Sequence, residues 1–399
     1  MAQEMRFYKT LKHGVRVDLD AVNDLRDRLL EEEAGYEKQL AALGIENPRS
    51  PVKIKAFLQT LDKKIKGTDE KTLLKFRHLP QVDVLLKYRK VMKQRGTYCD
   101  SYIKRADDDG VIHPTFNVHG TGSGRTSGSN PNVQNVPRVT ELRNLFIARP
   151  NRVLVSTDLA QAELRAQAVL SMDPDLIAAF GPDAGDFFDH SMPAAFPDKF
   201  KESGDFKILK AEAPAVAKDL RAKLKGTIYG LNFGRGAAAI GEALEMSQDE
   251  AQAIIDNFFN AYPVWAEWRT KVMEAAVDPE KRDFLTTVHG LTFDAEVITA
   301  ANYDSVQRSA LSFLPQGNAA NVALNGMCEI NKRLKADFPT AHITNFIHDD
   351  VNVDCEKDEA DAIGQMMKEC LERAGQELFG DVVLFAAEPD SGTKWGEIM

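Results

Sequence analysis

The sequence predicts an α+β fold built from more than one domain. With 399 residues, the chain is too long for a single simple core. Helical periodicity of the apolar residues covers long stretches, whereas "RVLVSTDL" and "NFIHDDVNVD" are short, apolar and rich in β-branched residues, which favours strands. Long helical stretches with a few separate strands are typical of the α+β class.

The first predicted elements form a mostly helical region. A short strand precedes an amphipathic helix over about residues 19–43, in which Leu25, Leu29, Leu30 and Leu40 recur near helical spacing. A turn and a short helix follow in "NPRSPVKIKAFLQTL", and residues 70–105 are predicted to be mostly helical. Residues 113–138 are dense in Gly, Ser, Asn and Pro, which predicts an ordered loop or short strands.

The rest of the chain is predicted to mix helices with strands. A buried strand runs into a helix over residues 152–171. Helices are predicted over most of residues 174–300, with one or two more over 302–338. A β-hairpin is predicted over residues 341–355, and a helix and a short strand follow it.

The composition, with 43% hydrophobic and 28% charged residues, is that of a soluble globular protein. We find no run of about 18 apolar residues that would predict a membrane span. The first residues, "MAQEMRFYKTLKHG", lack the apolar core of a signal peptide. Cys99, Cys328, Cys355 and Cys370 show no metal-type spacing, which favours reduced thiols and a cytoplasmic protein.

The net charge of −10 is unevenly distributed. Between Arg49 and Arg105 the sequence has about 16 Lys and Arg against 5 Asp and Glu, a surplus of about 11, so the rest carries about −21. A basic region in an acidic protein suits an enzyme that binds a polyanion on one surface. A solvated basic helical face explains the same numbers without a polyanion.

Two acidic segments are candidates for a metal site. Asp158 stands where the apolar strand ends, a position that suits a catalytic acid or the cap of the following helix. His348, Asp349 and Asp350 occupy the predicted bend of the hairpin, which would otherwise be a solvated turn. Together, Asp158 and Asp349 would form a dicarboxylate site for hard cations such as Mg²⁺, and a pair of such ions serves in-line phosphoryl transfer. The His348-Asp349 pair alternatively suits a metal phosphohydrolase, which would need further His ligands.

A stripe of cations and aromatic rings is predicted in "AKDLRAKLKGTIYGLNFGRG". Arg221, Lys225, Tyr229 and Phe233 recur every four residues and so share one face of a helix. The cations suit a triphosphate, and the rings suit stacking against a base or sugar. The alternative is an amphipathic helix with basic residues at its surface.

Glycines occur in two candidate ligand sites. Gly226 and Gly230 lower helix propensity, which is tolerable if a base pair must approach the helix backbone closely. The segment "GTGSGRTSG" suggests a phosphate-binding loop but lacks the Gly-Lys-Ser/Thr ending of one. Arg125 within this segment is a candidate for contact with a DNA backbone or base edge.

Five segments in order resemble the motifs of family A DNA polymerases, the type of bacterial DNA polymerase I and its phage and organellar relatives. They are "GTGSGRTSGSNPNVQNVP", "DLAQAELR", "RAKLKGTIYGLNFG", "RSALSFLPQGNAAN" and "IHDDVNVD". Weaker similarity extends from "LKHGVRVD" to "SGTKWGE", over nearly the whole chain. Five motifs in the same order are far more specific than any one of them.

The resemblance implies a right-hand polymerase fold, with an antiparallel-sheet palm and helical fingers and thumb. The thumb would be residues 1–112, the fingers 171–300, and the palm 113–170 together with 301–399. The family usually carries a 3′–5′ exonuclease domain ahead of the thumb, and too few residues precede the first match here for a domain. We therefore expect no proofreading by this chain.

The resemblance also implies roles for individual residues. Asp158 and Asp349 would hold two Mg²⁺ ions, for which Mn²⁺ is an alternative, and Asp350 would have a secondary role. Lys225 would join the two aspartates in catalysis, and Glu163 would exclude a ribose 2′-hydroxyl. The incoming dNTP would contact Arg221, Lys225, Tyr229, Phe233, Gln161, Glu163 and His190. The primer end and the template would be held by Arg125, Gln134, Arg308, Gln316 and His348.

The implied activity is template-directed DNA synthesis by nucleotidyl transfer to a primer 3′-hydroxyl, in replication or repair. The partners would be primer–template DNA and dNTPs, and the enzyme would act as a monomer. Two alternatives remain at this stage. One is a primer–template binding module without catalysis, and the other is a phosphohydrolase or nuclease built on His348-Asp349.

Departures from the family motifs bear on the site. Tyr229 stands where the bacterial enzymes usually have Phe, which implies weaker discrimination against dideoxynucleotides. Phe233 replaces a Tyr whose hydroxyl holds the gate carboxylate in the family, so the family pattern does not explain how Glu163 is held. Asp350 replaces a Glu and Ser312 replaces an Asn, and neither change removes a metal ligand.

Overall fold

A computed structural model of the chain describes residues 11–118, 120–200, 206–295 and 297–398. Residues 1–10 of the predicted thumb lie outside the described residues. A π-helical turn, Arg95–Cys99, connects the fourth and fifth helices. The helices are, in chain order, α1 (Leu19–Ala42), α2 (Pro51–Leu61), α3 (Glu70–Leu74), α4 (Pro80–Gln94), α5 (Asp100–Arg105), α6 (Thr140–Arg143), α7 (Ala162–Ser171), α8 (Pro174–Ala178), α9 (Phe187–Ala195), α10 (Pro197–Phe200), α11 (Phe206–Glu212), α12 (Pro214–Asn232), α13 (Ala237–Leu244), α14 (Gln248–Ala261), α15 (Pro263–Val277), α16 (Tyr303–Asp337) and α17 (Ala360–Phe379).

The strands are two or three residues long except in one four-stranded sheet, where they are six to eight residues long. They are β1 (Val15–Arg16), β2 (Val111–Ile112), β3 (Thr115–Asn117), β4 (Ser127–Ser129), β5 (Arg152–Leu159), β6 (His342–Ile347), β7 (Asp350–Glu356) and β8 (Ala387–Gly392). A four-stranded sheet has the order β6-β7-β5-β8. β6 and β7 are antiparallel, with Phe346 opposite Val351 and Ile347 opposite Asp350. The predicted α+β class and hairpin are thus confirmed, although the strands come together from segments almost 200 residues apart.

The described chain divides into two compact units. The larger holds Phe116–Ser127 and Val155–Ser391, and the smaller holds Lys12–Thr115, Gly128–Leu154 and residues 392–398. The larger unit therefore groups the predicted fingers with most of the predicted palm. The division into thumb, palm and fingers at the predicted boundaries stays a prediction.

The larger unit has an extensive apolar core that surrounds the helices of its middle segment. Phe187, Phe188, Phe258 and Trp265 are almost completely buried in it. Burial of large aromatic side chains is worth about 2–3 kcal/mol each against exposure to water, before the loss of chain entropy. The packing fixes α12 from its apolar side and leaves its polar face at the surface of this core.

The smaller unit is a helical assembly with its own core, formed around Leu40, Ile54, Leu58 and Tyr88. Its helix α1 matches the predicted 19–43 to within one residue. The buried carboxylate of Glu33 on α1 pairs with an arginine that precedes α2 and with one in the π-helical turn. It binds Arg49 Nη2 at 2.9 Å and Arg95 Nε at 2.8 Å.

Part of the basic surplus of this region is thus paired with acidic side chains of the same unit. Asp83, for example, lies 3.0 Å from Arg77 and 2.7 Å from Lys87 at the surface. The exposed remainder includes Lys53, Lys55, Lys63 and Lys64. An exposed basic surface is common to both sequence interpretations, so binding of a polyanion by this surface stays a prediction.

Local signals in the sequence explain where several helices begin. Pro214 opens α12 at a position that needs no backbone N–H donor. Ser247 and Glu250 form a capping box at the start of α14, with Ser247 Oγ accepting from the Glu250 N–H at 3.1 Å. Among the described residues, no helix is both long enough and apolar enough to cross a membrane.

Candidate active site

The first candidate carboxylate belongs to β5. Val153, Leu154 and Val155 of this strand are buried, as is Thr157, whereas Asp158 is exposed. Side chains alternate along a strand, so Thr157 points into the protein and the Asp158 carboxylate points outward. Strand pairing fixes the backbone from which the carboxylate projects.

Asp158 is not a helix cap. The residue that precedes α7 is Gln161, in a left-handed conformation with φ 55°, and this helix start has no side-chain capping hydrogen bond. The alternative interpretation of Asp158 as an N-cap is therefore wrong. The role of Asp158 as a metal ligand stays a prediction.

The second candidate carboxylate lies in the turn that joins β6 to β7. This turn consists of His348 and Asp349, between the paired residues Ile347 and Asp350. His348 has φ 62°, and the Asp349 N–H donates to the Ile347 carbonyl at 2.8 Å. A positive φ is uncommon in residues other than Gly and is found preferentially where function requires it. The tight turn fixes the backbone that carries the imidazole and the Asp349 carboxylate.

Asp350 is engaged within the sheet. The Ser156 hydroxyl of β5 donates to its Oδ1 at 2.5 Å, across two strands that are neighbours in the sheet. Asp158 lies on the same face of β5 as Ser156, because side chains alternate, and so lies near the turn. This arrangement supports Asp349 as the partner of Asp158, with Asp350 in the secondary role.

Electrostatic repulsion couples the two candidate ligands. Burial first, and the nearby Asp158 carboxylate second, raise the pKa of Asp349 to about 7, against the opposing effect of the Arg125 charge. Two carboxylates that share a site in this way destabilise each other unless a cation compensates them. The pair therefore has the electrostatic character of a cation site.

The donor set fits Mg²⁺. This ion binds through one or two carboxylates and keeps water or substrate phosphates as its other ligands. Within the described residues, no group of three or more His, Cys, Asp and Glu could hold a metal ion. The assignment of Asp158 and Asp349 as metal ligands stays a prediction.

His348 provides a neutral imidazole beside this pair. Burial, with the charge of Arg125, lowers the pKa of the ring, so it is uncharged at neutral pH. Its Nδ1 is buried and has no hydrogen-bond partner among the described residues. A buried ring nitrogen of this kind is costly unless a ligand completes its hydrogen bonding.

Helix α12 carries the stripe that the four-residue spacing predicts. Arg221 and Tyr229 are partly buried, Lys225 is exposed, and Phe233, 45% exposed, is the residue at which the helix ends. The Lys225 ammonium lies 5.9 Å from the ring centre of Tyr229. A face shared by Arg221, Lys225 and Tyr229 is confirmed, because Arg221 and Lys225 lie over the Phe188 ring and Lys225 over the Tyr229 ring. Phe233 follows the last helical residue. The contact of these residues with a nucleotide stays a prediction.

Gly226 and Gly230 serve the packing of α12 against α13. A Cβ at position 226 would lie 2.5 Å from Leu244 Cδ2, and one at position 230 would lie 2.8 Å from Ile240 Cγ1. The missing side chains make room for apolar residues of the neighbouring helix. The interpretation that these glycines admit a base pair is therefore wrong, because protein atoms occupy the space.

Arg221 is paired with two carboxylates. Its Nη2 lies 3.0 Å from Asp186 Oδ1, and its Nε lies 3.0 Å from Asp189 Oδ1. The Gln161 amide donates to the other oxygen of Asp186 at 3.3 Å. Gln161 follows Asp158 by three residues, so this series of contacts joins α12 to the end of β5.

Sequence reasoning missed Phe188, Asp189 and Lys210, which complete the surroundings of the stripe. The Lys210 ammonium lies 2.7 Å from Asp189 Oδ2. The Phe188 ring centre lies 5.4 Å from the Arg221 guanidinium carbon and 5.8 Å from Lys225 Nζ. These contacts join residues that are 21 to 37 positions apart in the sequence. No pattern within "DFFDHS" predicts such contacts.

Glu163, the predicted sugar gate, forms an ion pair with Arg125, which is predicted to contact DNA. Arg125 Nη2 lies 2.5 Å from Glu163 Oε1, and the two side chains are 21% and 16% exposed. Sequence reasoning placed the two residues in different roles and did not pair them. Their contact answers how Glu163 is held in a chain with Phe at position 233.

The other predicted ligand contacts are spread over both units. Gln134 is buried in the smaller unit. In the larger unit, Arg308 packs against Gly234, where φ is 65° and a Cβ would lie 2.4 Å from Arg308 Cγ. Gln316 is partly buried on α16, and His190 is exposed on α9. Their contacts with a nucleotide or DNA stay predictions.

We expect Asp349→Asn to stabilise the chain when divalent cations are absent. The pKa of Asp349 is about 7 in the folded chain, against about 4 for an unfolded Asp. The ionised carboxylate therefore destabilises the fold increasingly as the pH rises from about 4 to about 7. In EDTA at pH 8, the free energy of unfolding of the variant should exceed that of the parent by about 1–3 kcal/mol.

Denaturant unfolding at pH 8 and pH 4 checks this expectation, and the advantage of the variant should vanish at pH 4. Mg²⁺ at pH 8 should stabilise the parent more than the variant. Asp390→Asn, at an exposed position on β8, is the matched control and should change neither result. A variant that is no more stable than the parent at pH 8 would contradict the repulsion between Asp349 and Asp158.

A sheet that presents paired carboxylates beside a cationic helix face is typical of enzymes that transfer phosphoryl or nucleotidyl groups with metal ions, nucleic acid polymerases among them. The profile of DNA polymerase family A matches residues 19–397. The chain therefore belongs to DNA polymerase family A, as its motifs predict.

Bacterial relatives agree with this assignment. DNA polymerase I of Helicobacter pylori is 29% identical over 375 residues, which are 90% of this chain and 39% of that protein. The thermostable DNA polymerase I of Thermus aquaticus is 29% identical over 303 residues, 73% of this chain and 34% of that protein. The chain thus spans about a third of the length of such relatives.

A solved structure shows the same fold. The POL domain of Pol1 from M. smegmatis, in complex with DNA primer-template and dNTP, matches with a TM-score of 0.83 and 23% sequence identity. The match covers 99% of this chain and 70% of the other. The predicted polymerase fold is therefore confirmed.

Proposed function

We propose that this chain is a template-directed DNA polymerase that adds dNTPs to a primer 3′-hydroxyl. The observation that supports the proposal is the series of contacts that runs from Gln161, three residues after Asp158, through Asp186 to Arg221 on α12. These contacts link the end of β5 to the cationic face of α12 within the larger unit.

Asp158 and Asp349 would hold the metal ions, which we propose to be two Mg²⁺. When bound, the ions would offset negative charge on the reacting phosphates and make the primer hydroxyl more acidic. Their affinity would follow from the mutual repulsion of the two carboxylates that they relieve. His348 would lie against the primer end and complete its hydrogen bonding there.

The face of α12 would bind the incoming nucleotide. Lys225 and Arg221 would neutralise the triphosphate, as preorganised cations do in phosphoryl transfer. Tyr229 and Phe233 would stack against the base and sugar. Glu163 would fill the space that a ribose 2′-hydroxyl needs, so that dNTPs are selected over ribonucleotides.

Arg125, Arg308 and Gln316 of the larger unit would contact the primer end or the template. Gln134, a residue of the smaller unit, is likewise proposed as a DNA contact. The exposed lysines of the smaller unit would bind backbone phosphates, which supply most of the affinity of non-specific DNA binding. In this assignment the smaller unit contains the thumb.

The two competing functions lack comparable support. A phosphohydrolase on His348-Asp349 needs additional His or carboxylate ligands, and the described residues contain no group of three or more. A scaffold without catalysis would have no need for Asp349, in a tight turn, to face the repelling carboxylate of Asp158. The family assignment also favours the polymerase.

Primer extension tests the proposal. The assay contains Mg²⁺, a 5′-labelled DNA primer and one of four templates, which differ in the base to be copied. We expect the chain to add the complementary dNTP on each template. The single-stranded primer, incubated alone, should stay intact. Shortening of that primer without a template would instead favour the hydrolase, and template binding without extension would favour the scaffold.

A further inference from the structure

A half-buried ion pair fixes the side chain of Glu163. Its Oε1 accepts from Arg125 Nη2 at 2.5 Å, and less than a quarter of either side chain is exposed. A charge-assisted hydrogen bond in such surroundings is stronger than one at the open surface and restricts the rotamers of both residues. Glu163 therefore has a defined position before any ligand binds.

The position of Glu163 does not come from the end of α12. Phe233, where that helix ends, is 45% exposed and carries no hydroxyl that could donate to a carboxylate. Among the described residues, the hydrogen bond that the Glu163 side chain accepts comes from Arg125. Removal of Arg125 would thus leave the carboxylate without a fixed orientation.

Arg125 is itself held by the protein. The Thr121 hydroxyl donates to the Arg125 carbonyl at 2.8 Å, and Gly124 before it has φ 79°. The loop also packs closely on α16, because a Cβ at Gly317 would lie 3.0 Å from the Ser123 carbonyl oxygen. The guanidinium therefore projects from a braced backbone and can orient Glu163, which projects from the first turn of α7.

We propose that Arg125 is the positioning residue of the sugar gate: it holds Glu163 where the carboxylate excludes a ribose 2′-hydroxyl, a task that a Tyr hydroxyl at position 233 would otherwise perform. The inference rests on the proposed function. Arg125 would then have two roles, the proposed contact with DNA and the positioning of Glu163. The first role does not require the second.

The two tasks of Arg125 have separable consequences. Loss of a DNA contact weakens extension with deoxyribonucleotides and ribonucleotides alike, so the ratio of their kcat/KM values is unchanged. Loss of the hold on Glu163 lowers the ratio, because the ribonucleotide gains relative to the deoxyribonucleotide. The ratio of kcat/KM for a dNTP to that for the matching ribonucleotide is therefore the diagnostic measurement.

The experiment compares the parent with Arg125→Gln, Phe233→Tyr and the double variant. We expect Arg125→Gln to lower the ratio roughly tenfold or more. Phe233→Tyr in the Arg125→Gln background should restore most of the lost selectivity, because the new hydroxyl can donate to Glu163. Glu163→Ala should lower the ratio at least as far as Arg125→Gln does. Adding Arg125→Gln to Glu163→Ala should not change the ratio further, because the effects of mutations at residues in contact do not add.

The outcomes separate this inference from the function on which it rests. If the parent extends no primer, the proposed function is wrong and the inference falls with it. If the parent extends primers but Arg125→Gln leaves the ratio unchanged, the inference alone is overturned. Arg125→Met is the second variant should Arg125→Gln not fold. It removes both the charge and every hydrogen-bond donor of the side chain, so an unchanged ratio together with slower extension would likewise overturn the gate role.

Discussion

Asp158→Asn and Asp349→Asn should each reduce Mg²⁺-dependent primer extension by at least about 10³-fold. Each change removes one negative oxygen donor from a two-carboxylate site, and in the described chain no third carboxylate completes a metal cluster to replace it. Binding of primer–template should stay within about threefold of the parent, because cations that contact backbone phosphates dominate that affinity.

Single-nucleotide incorporation and fluorescence anisotropy of labelled primer–template measure the two quantities separately. Asp390→Asn serves as the control for loss of a surface carboxylate and should extend primers at the parental rate. The extension rate of Asp350→Asn should lie between that of the control and those of the two ligand variants. The Asp350 carboxylate accepts a hydrogen bond from Ser156 and does not belong to the turn. Full extension by Asp158→Asn or Asp349→Asn would rule out the assigned metal ligands.

Lys225→Ala should lower kcat/KM for dNTPs roughly 10²- to 10³-fold. Lys225 is exposed on the face shared with Arg221 and Tyr229, and no ion pair engages it in the described part of the chain. The full charge of Lys225 is thus available to a triphosphate. The variant should have a lower kcat as well as a higher KM if the charge on the leaving group grows in the transition state.

Lys223→Ala, two residues away, is the matched control. Lys223 pairs with Asp219 at 3.0 Å and points away from the stripe, since residues two apart do not share a helix face. Its replacement removes the same charge from the same helix and should change kcat/KM less than about threefold. Equal losses for both variants would show that net charge, rather than the α12 face, governs nucleotide binding.

Periodicity predicted the parts of the site that depend on local structure. The four-residue spacing of Arg221, Lys225, Tyr229 and Phe233 becomes a shared face as soon as a helix forms. The apolar residues around Asp158 and Asp349 likewise predict a strand and a hairpin. The adjacent β5 and β7 then explain why these carboxylates, 191 positions apart in the sequence, meet.

Long-range pairing limited what the sequence could predict. Nothing near Arg125 or Glu163 indicates that they bind each other, and the partners of Arg221 lie 32 and 35 positions away. Gly226 and Gly230 illustrate the same limit, because a glycine shows that space is needed but not what fills it. Here the space is taken by Leu244 and Ile240 of α13.

The pairing of Arg221 with Asp186 and Asp189 would affect the thermodynamics of nucleotide binding in the proposed complex. Arg221 would exchange carboxylates for phosphates instead of acquiring its first partner. Its contribution to affinity would be the difference between two sets of ion pairs, which is smaller than either. A ligand with a single phosphate would compete poorly for such an arginine, whereas the several charges of a triphosphate would displace the carboxylates. Asp186 and Asp189 would thus make the proposed site selective for the number of phosphates.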